Sequence, residues 1–248
     1  MNGSEFAIVV EDGGDRAKAF SLSEKTGAAV YDIRPDTLCV VFASDGVSLS
    51  GSGLTYKGDF SAMLKRVSNG KLSHEMLVHA AKTKTENPKA VDASAGMGED
   101  SFLLASYGYD VTMYEQNPVI ACLLADALER ASSDDALGDT VSRMHLIEGN
   151  SISLMPSLTF SPEIVYLDPM FPERRKSGLI NKKLQLIQKL EHPCIDEDAL
   201  LDAAIAVRPK KIIIKRPLKG AYLAGRKPSY TNEGKAIRYD CFVFPENF

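Results

Sequence analysis

From Pro88 onward, short unbroken apolar runs alternate with stretches of helical periodicity, and this alternation constrains the fold more than any other feature. The runs KAVDAS, DVTMYE, RMHLIEG, EIVYLD and KKIIIKR read as strands, with AIRYDCFVF as a closing strand. Between them, EDSFLLASYG, PVIACLLADALERA and DEDALLDAAIAV carry helical spacing. A strand exposed on one face alternates apolar and polar residues, whereas these runs are continuous, which suits parallel strands covered on both faces. Strand–helix alternation at this spacing predicts an open, doubly wound, mostly parallel α/β sheet. In such a sheet a ligand lies outside the carboxyl ends of the strands.

The region before Pro88 follows another rhythm. FAIVV and TLCVVFA read as strands, GVSLSGSGL as a Gly/Ser-rich hairpin and SHEMLVHAAK as a helix. This predicts a small N-terminal α+β subdomain whose boundary lies between Gly70 and Pro88, with residues 1–75 in the subdomain and 76–248 in the larger domain. The net charge of −4 gives no overall field to attract nucleic acid, so such a partner must meet a local basic face. Cys39, Cys122, Cys194 and Cys241 form no C-x-x-C pair, which argues against zinc or a disulfide framework and fits a reducing cytoplasm. His74, His79, His145 and His192 lack metal-ligand spacing, so no metal is expected. No run approaches the ~20 apolar residues of a membrane span.

The segment VDASAGMGEDSF places a strand, a turn with Gly96 and Gly98, and a helix in succession. Glycines there let the backbone turn tightly and approach a ligand. A dinucleotide fingerprint needs a further glycine where Ser101 stands, and the helix opens on Glu99 and Asp100. Two carboxylates would repel a pyrophosphate and welcome a cation, which disfavours NAD. Glu115 ends the next strand, where an acid can accept both hydroxyls of a ribose, and Gln116 beside it can lie along an adenine ring. Asn150 or Ser151, after the third strand, can bond the adenine edge. Ribose, adenine and a cationic tail without phosphates describe S-adenosylmethionine. The turn also resembles the class I methyltransferase pattern of an acid followed by glycines at alternate positions: Asp92, Gly96 and Gly98 match, and Ser94 replaces the first glycine.

The fourth strand ends in LDPMF, similar to the Asp/Asn-Pro-Pro-aromatic motif of enzymes that methylate exocyclic amines of bases, with Met170 in place of the second proline. A base amine is a poor nucleophile because its lone pair is delocalised into the ring. Asp168 and the carbonyl of Pro169 can accept its two hydrogens, and Phe171 can stack on the base for ~1–3 kcal/mol. Behind the motif, Arg174, Arg175, Lys176, Lys182 and Lys183 form one basic cluster. Lys215 and Arg216 belong to a second, in RPKKIIIKRPLK, and the two clusters together suggest a nucleic-acid backbone track.

These stretches together resemble the ribosomal RNA small subunit methyltransferase J family, over roughly Leu72 to Phe244. The resemblance implies a Rossmann-like fold and transfer of a methyl group from S-adenosylmethionine to N2 of a guanosine in bacterial 16S rRNA. It places cofactor contacts on Glu99, Asp100, Glu115, Gln116, Asn150, Ser151 and Asp168. Glu99 and Gln116 stand where the family commonly has arginine, and Asn150 where it has serine. The N-terminal hairpin is a candidate for RNA recognition. An amino-methyltransferase acting on another RNA or on a DNA base stays open as an alternative, as does a cofactor-binding RNA-binding protein without turnover.

Overall fold

The computed structural model describes residues 6–68, 70–169, 186–187, 189–190 and 196–244. Met170, Phe171, Arg174, Arg175, Lys176, Lys182, Lys183, His192 and Cys194 lie outside the described residues.

The chain begins with β1 (Ala7–Val10), α1 (Arg16–Thr26), β2 (Val30–Tyr31), β3 (Cys39–Ala43), β4 (Gly46–Gly51) and β5 (Leu54–Tyr56). They form a five-stranded sheet in the order β2-β1-β3-β4-β5. β1 runs parallel to β2 and β3, and β3-β4-β5 is an antiparallel meander. The expected hairpin is therefore β4-β5, while α1 and the parallel pairing were not foreseen. The apolar spacing of α1 is weak, but its ends are marked: the Asp15 side chain accepts the Lys18 N–H at 2.9 Å, and Gly27 closes the helix at φ 71°.

Two short helices, α2 (Leu64–Val67) and α3 (Met76–Ala80), lead into the second sheet. There β6 (Lys89–Asp92), α4 (Glu99–Ser106), β7 (Asp110–Glu115), α5 (Pro118–Ser132), α6 (Gly138–Val141), β8 (Met144–Glu148), α7 (Ser151–Leu154) and β9 (Ile164–Leu167) follow. α8 (Glu197–Ala206), β10 (Lys211–Pro217), β11 (Tyr230–Glu233) and β12 (Ile237–Val243) complete it. The strand order is β11-β12-β10-β9-β6-β7-β8. The run β8-β7-β6-β9-β10 is parallel, and β12 pairs antiparallel to both β10 and β11.

The central runs, on β6, β9 and β10, are buried on both faces as the sequence predicts, whereas RMHLIEG forms the edge strand β8, where His145, Ile147 and Glu148 are exposed. Along β9, Ile164 and Tyr166 enter the core beneath α4, while Val165 and Leu167 enter the core against α8. Ile213 and its neighbours Ile212 and Ile214 divide between the same two cores. α5 joins the two sheets: Val119, Ile120 and Leu123 close the core of the N-terminal sheet, and Leu124, Ala127 and Ala131 face the larger one. Asn117 starts this helix by accepting the Val119 and Ile120 N–H groups at 3.0 and 3.3 Å, with Pro118 in the first turn. Packing passes from one core to the other before residue 75, since Phe60 and Met63 already belong to the larger core and Phe60 stacks on Phe102 at 5.3 Å.

Candidate active site

Parallel strands deliver their final residues to one edge of the larger sheet. Asp92 ends β6, Glu115 ends β7, Asn150 and Ser151 follow β8, and Asp168 follows β9. In register Ile214 pairs with Leu167, so Lys215 arrives level with Asp168. The pattern that makes the strands apolar stops at this edge, and the polar residues left there form the site.

The glycine turn bridges β6 and α4. Gly96 (φ 54°) and Gly98 (φ 77°) both occupy the left-handed region. A Cβ on Gly98 would come within 2.9 Å of Leu124 Cδ1, whereas at Gly96 it would meet nothing within 4 Å, so the turn is open on that side. Asp92 shapes the turn from below: it is 1% exposed and accepts the Ser94 N–H at 3.0 Å and the Ser101 hydroxyl at 2.6 Å. Burial pushes its carboxyl up to about 7 against the help of these bonds, and the nearby Asp100 and Asp168 push the same way. Ser94 has a task that the glycine of the usual pattern could not perform, because its Oγ accepts the Asp168 N–H at 2.7 Å. It ties the turn to the LDPMF strand end.

Glu115 reaches back to the same turn. It accepts the Gly96 N–H at 2.9 Å and the Asn117 N–H at 2.7 Å, one on each oxygen. These two backbone donors fix the orientation of the carboxylate at the turn. Gln116 beside it is exposed. Asn150, also exposed, caps α7 by accepting the Ile152 N–H at 2.9 Å, and Ser151 is buried at the first position of that helix. Glu99 is exposed at the start of α4, 3.9 Å from Arg66.

Asp100 and Asp168 meet over a third group. Lys215 Nζ lies 2.7 Å from Asp100 Oδ2 and 2.9 Å from Asp168 Oδ2. The buried Tyr166 hydroxyl donates to Asp100 Oδ2 at 2.6 Å. Burial opposes the Lys215 ammonium, but the two carboxylates outweigh it and keep the group protonated. Lys215 is thus an internal counter-ion, not the phosphate contact that the sequence suggested. The same correction applies to Arg216, which is 4% exposed, donates to the Ala221 carbonyl at 2.8 Å and pairs with Glu197. Both residues sit in a strand whose neighbours cover them, which a charge cluster read along the chain does not reveal. Tyr166 and the link through Ser94 were missed for the converse reason: an apolar run and a small turn residue carry no visible chemical signal.

The strand order and this polar edge define a class I S-adenosylmethionine-dependent methyltransferase. The family described as "Putative SAM-dependent methyltransferase" matches residues 50–244. The chain belongs to that family, in the branch whose curated members are named ribosomal RNA small subunit methyltransferase J. It is 44% identical over 175 residues to the relative of that name from Thioalkalivibrio sulfidiphilus, covering 69% of each chain. It is 47% identical over 158 residues to that from Tolumonas auensis, covering 63% of this chain and 64% of the relative. The chain thus spans about two thirds of the length of these relatives. A crystal structure of a SAM-dependent methyltransferase from Neisseria gonorrhoeae superposes with a TM-score of 0.77 at 32% identity, covering 96% of this chain and 95% of that one.

S-adenosylmethionine is accordingly the cofactor, and the residues present fit it. The turn is open at Gly96, and the carboxylates of Asp100 and Asp168, which share the Lys215 ammonium, suit a cationic tail better than a phosphate. Among the described residues no group of three or more His, Cys, Asp or Glu is arranged to hold a metal, and no helix is long and apolar enough to cross a membrane. Glu115→Ala is expected to weaken S-adenosylmethionine and S-adenosylhomocysteine binding by ~1–3 kcal/mol, since it removes a charged acceptor and frees the Gly96 turn. Isothermal titration measures this, and unchanged affinity would remove Glu115 from the ribose role. NAD should give no heat with either protein.

Proposed function

We propose that this chain methylates the exocyclic N2 amine of a guanosine in small-subunit ribosomal RNA. The observation that carries the reading is the placement of Asp168-Pro169 at the end of β9, held by Ser94 to the glycine turn and by Lys215 to α4. The shared name of its relatives supports ribosomal RNA as substrate.

In this reading Glu115 binds the ribose of the cofactor, Gln116 and Asn150 or Ser151 flank its adenine, and Asp100, Glu99 and Asp168 face its cationic part. When bound, S-adenosylmethionine supplies an electrophilic methyl group whose transfer breaks one C–S bond, leaves the electron pair on sulfur and forms one C–N bond. The protein's share is alignment. Asp168 and the Pro169 carbonyl accept the amine hydrogens, directing the nitrogen lone pair away from them, and Phe171 stacks on the base. No strong base is needed, because the methylated amine is acidic enough to lose its proton after transfer, with Asp168 as acceptor. Arg174, Arg175 and Lys176 are the remaining candidates for the RNA backbone.

The experiment is nucleoside mass spectrometry on small-subunit rRNA from cells with and without the gene, paired with tritiated methyl incorporation into the unmodified RNA or subunits. N2-methylguanosine should be lost without the gene and restored by the purified protein. Unchanged rRNA, or a methyl group on another base, would reject the substrate assignment.

A further inference from the structure

An ammonium lies between two carboxylates at the ligand edge of the larger sheet. Lys215 is half-buried, and its Nζ bridges the first turn of α4 to the residue after β9. Nothing in the reaction requires a protein cation beside an electrophile that is itself cationic. A positive charge there weakens the attraction between the carboxylates and the cofactor, so its presence calls for a compensating role.

We propose that Lys215 is a positioning residue for methyl transfer: its ammonium ties Asp168 to Asp100 and fixes the Asp168 carboxylate as acceptor for the base amine. This rests on the function proposed above. Among the described residues Asp168 would then be oriented by its N–H on Ser94 Oγ at 2.7 Å and by its Oδ2 on Lys215 at 2.9 Å. Asp100 is the other anchor, and Tyr166 holds it through a hydroxyl at 2.6 Å.

The charges around Asp168 explain why a fixed cation is useful. Asp100 on α4 shares the Lys215 ammonium with Asp168, and the buried Asp92 on β6, its carboxyl pushed up by burial and by both of them, adds no charge in the acid range. Tyr166 on β9 and Tyr239 on β12 face the same cluster as neutral phenols, their ionisation suppressed by burial and by the two aspartates. Arg66 on α2 is engaged with Glu75 at 2.8 Å and lies 3.9 Å from Glu99. Among the described residues Lys215 is in hydrogen-bond contact with both Asp100 and Asp168. Without it, the Asp100 carboxylate beside Asp168 would push Asp168 toward its protonated form, which donates on that oxygen instead of accepting.

The test compares wild type with Lys215→Met, Lys215→Gln and Lys215→Arg for methyl transfer to unmodified small-subunit rRNA, at saturating cofactor and across acid to neutral pH. Removing the ammonium should lower kcat about tenfold or more. It should also move the acid limb of the kcat profile upward by about one pH unit, because Asp168 loses the charge that favours its carboxylate. KM for RNA should change little. Lys215→Arg should keep the wild-type limb. A purely structural lysine would lower activity equally at all pH values. An acid limb unmoved in whichever uncharged variant melts like wild type would overturn the proposal. Failure of wild type to methylate this RNA would overturn both this inference and the function beneath it, whereas an active wild type with an unmoved limb overturns this one alone.

Discussion

Exchanging Asp168 for alanine is expected to lower methyl transfer to unmodified small-subunit rRNA by about 10²–10⁴-fold, the range associated with losing a positioned acceptor and its alignment. The substitution removes the side chain that Lys215 holds at the strand end, while the backbone N–H of Asp168 can still donate to Ser94 Oγ. The fold should therefore stand. Lys215 keeps Asp100 as partner. Some loss of cofactor affinity is expected, because the resemblance also puts this carboxylate beside the cofactor. Phe171→Ala separates the two roles: transfer should fall while cofactor affinity is kept, since the aromatic is assigned to the base alone. Tritiated methyl incorporation with cofactor titration of each variant measures this. Full activity in Asp168→Ala would show that the amine is positioned by other groups, and the account of LDPMF would fail.

The two halves of the chain differed in how far their sequence could be read. The larger sheet was legible because burial on both faces forces continuous apolar runs, and those runs end abruptly where the ligand edge begins. Glu115 and Asp168 stood out as charges closing such runs. The N-terminal half hides its organisation: α1 is mostly polar and buries only Ala19, Leu22 and Thr26, so its periodicity is faint although Asp15 and Gly27 mark both ends. What one dimension could not supply was depth. Lys215 and Arg216 are adjacent in a basic stretch, yet one points to the carboxylates and the other is sealed beneath the Pro217–Ala221 turn, which Arg238 also braces with bonds to three of its carbonyls at 2.8 to 2.9 Å. Charge along a chain predicts a surface only when the element carrying it has an exposed face.

Asp92 provides the second large effect, on stability. Its carboxyl is pushed up to about 7 by burial, against ~3.9 in an unfolded chain. Between those values the folded protein keeps a proton that the unfolded chain has released, so raising the pH favours unfolding. The contribution of Asp92 is fully present below the unfolded value and is lost as the pH climbs through about 7, an amount on the order of 2–4 kcal/mol. Asp92→Asn keeps an acceptor for the Ser94 N–H and a polar group opposite Ser101, and it cannot ionise. Denaturant unfolding of the cofactor-free protein should show the variant gaining on wild type as the pH rises from about 4 to about 8, with little difference at the acid end. Parallel curves would mean that Asp92 stays ionised in the fold, its charge carried by the Ser94 and Ser101 bonds. The turn would then be held by an anion, and the carboxylate cluster facing Lys215 would carry one more charge than the neutral form allows.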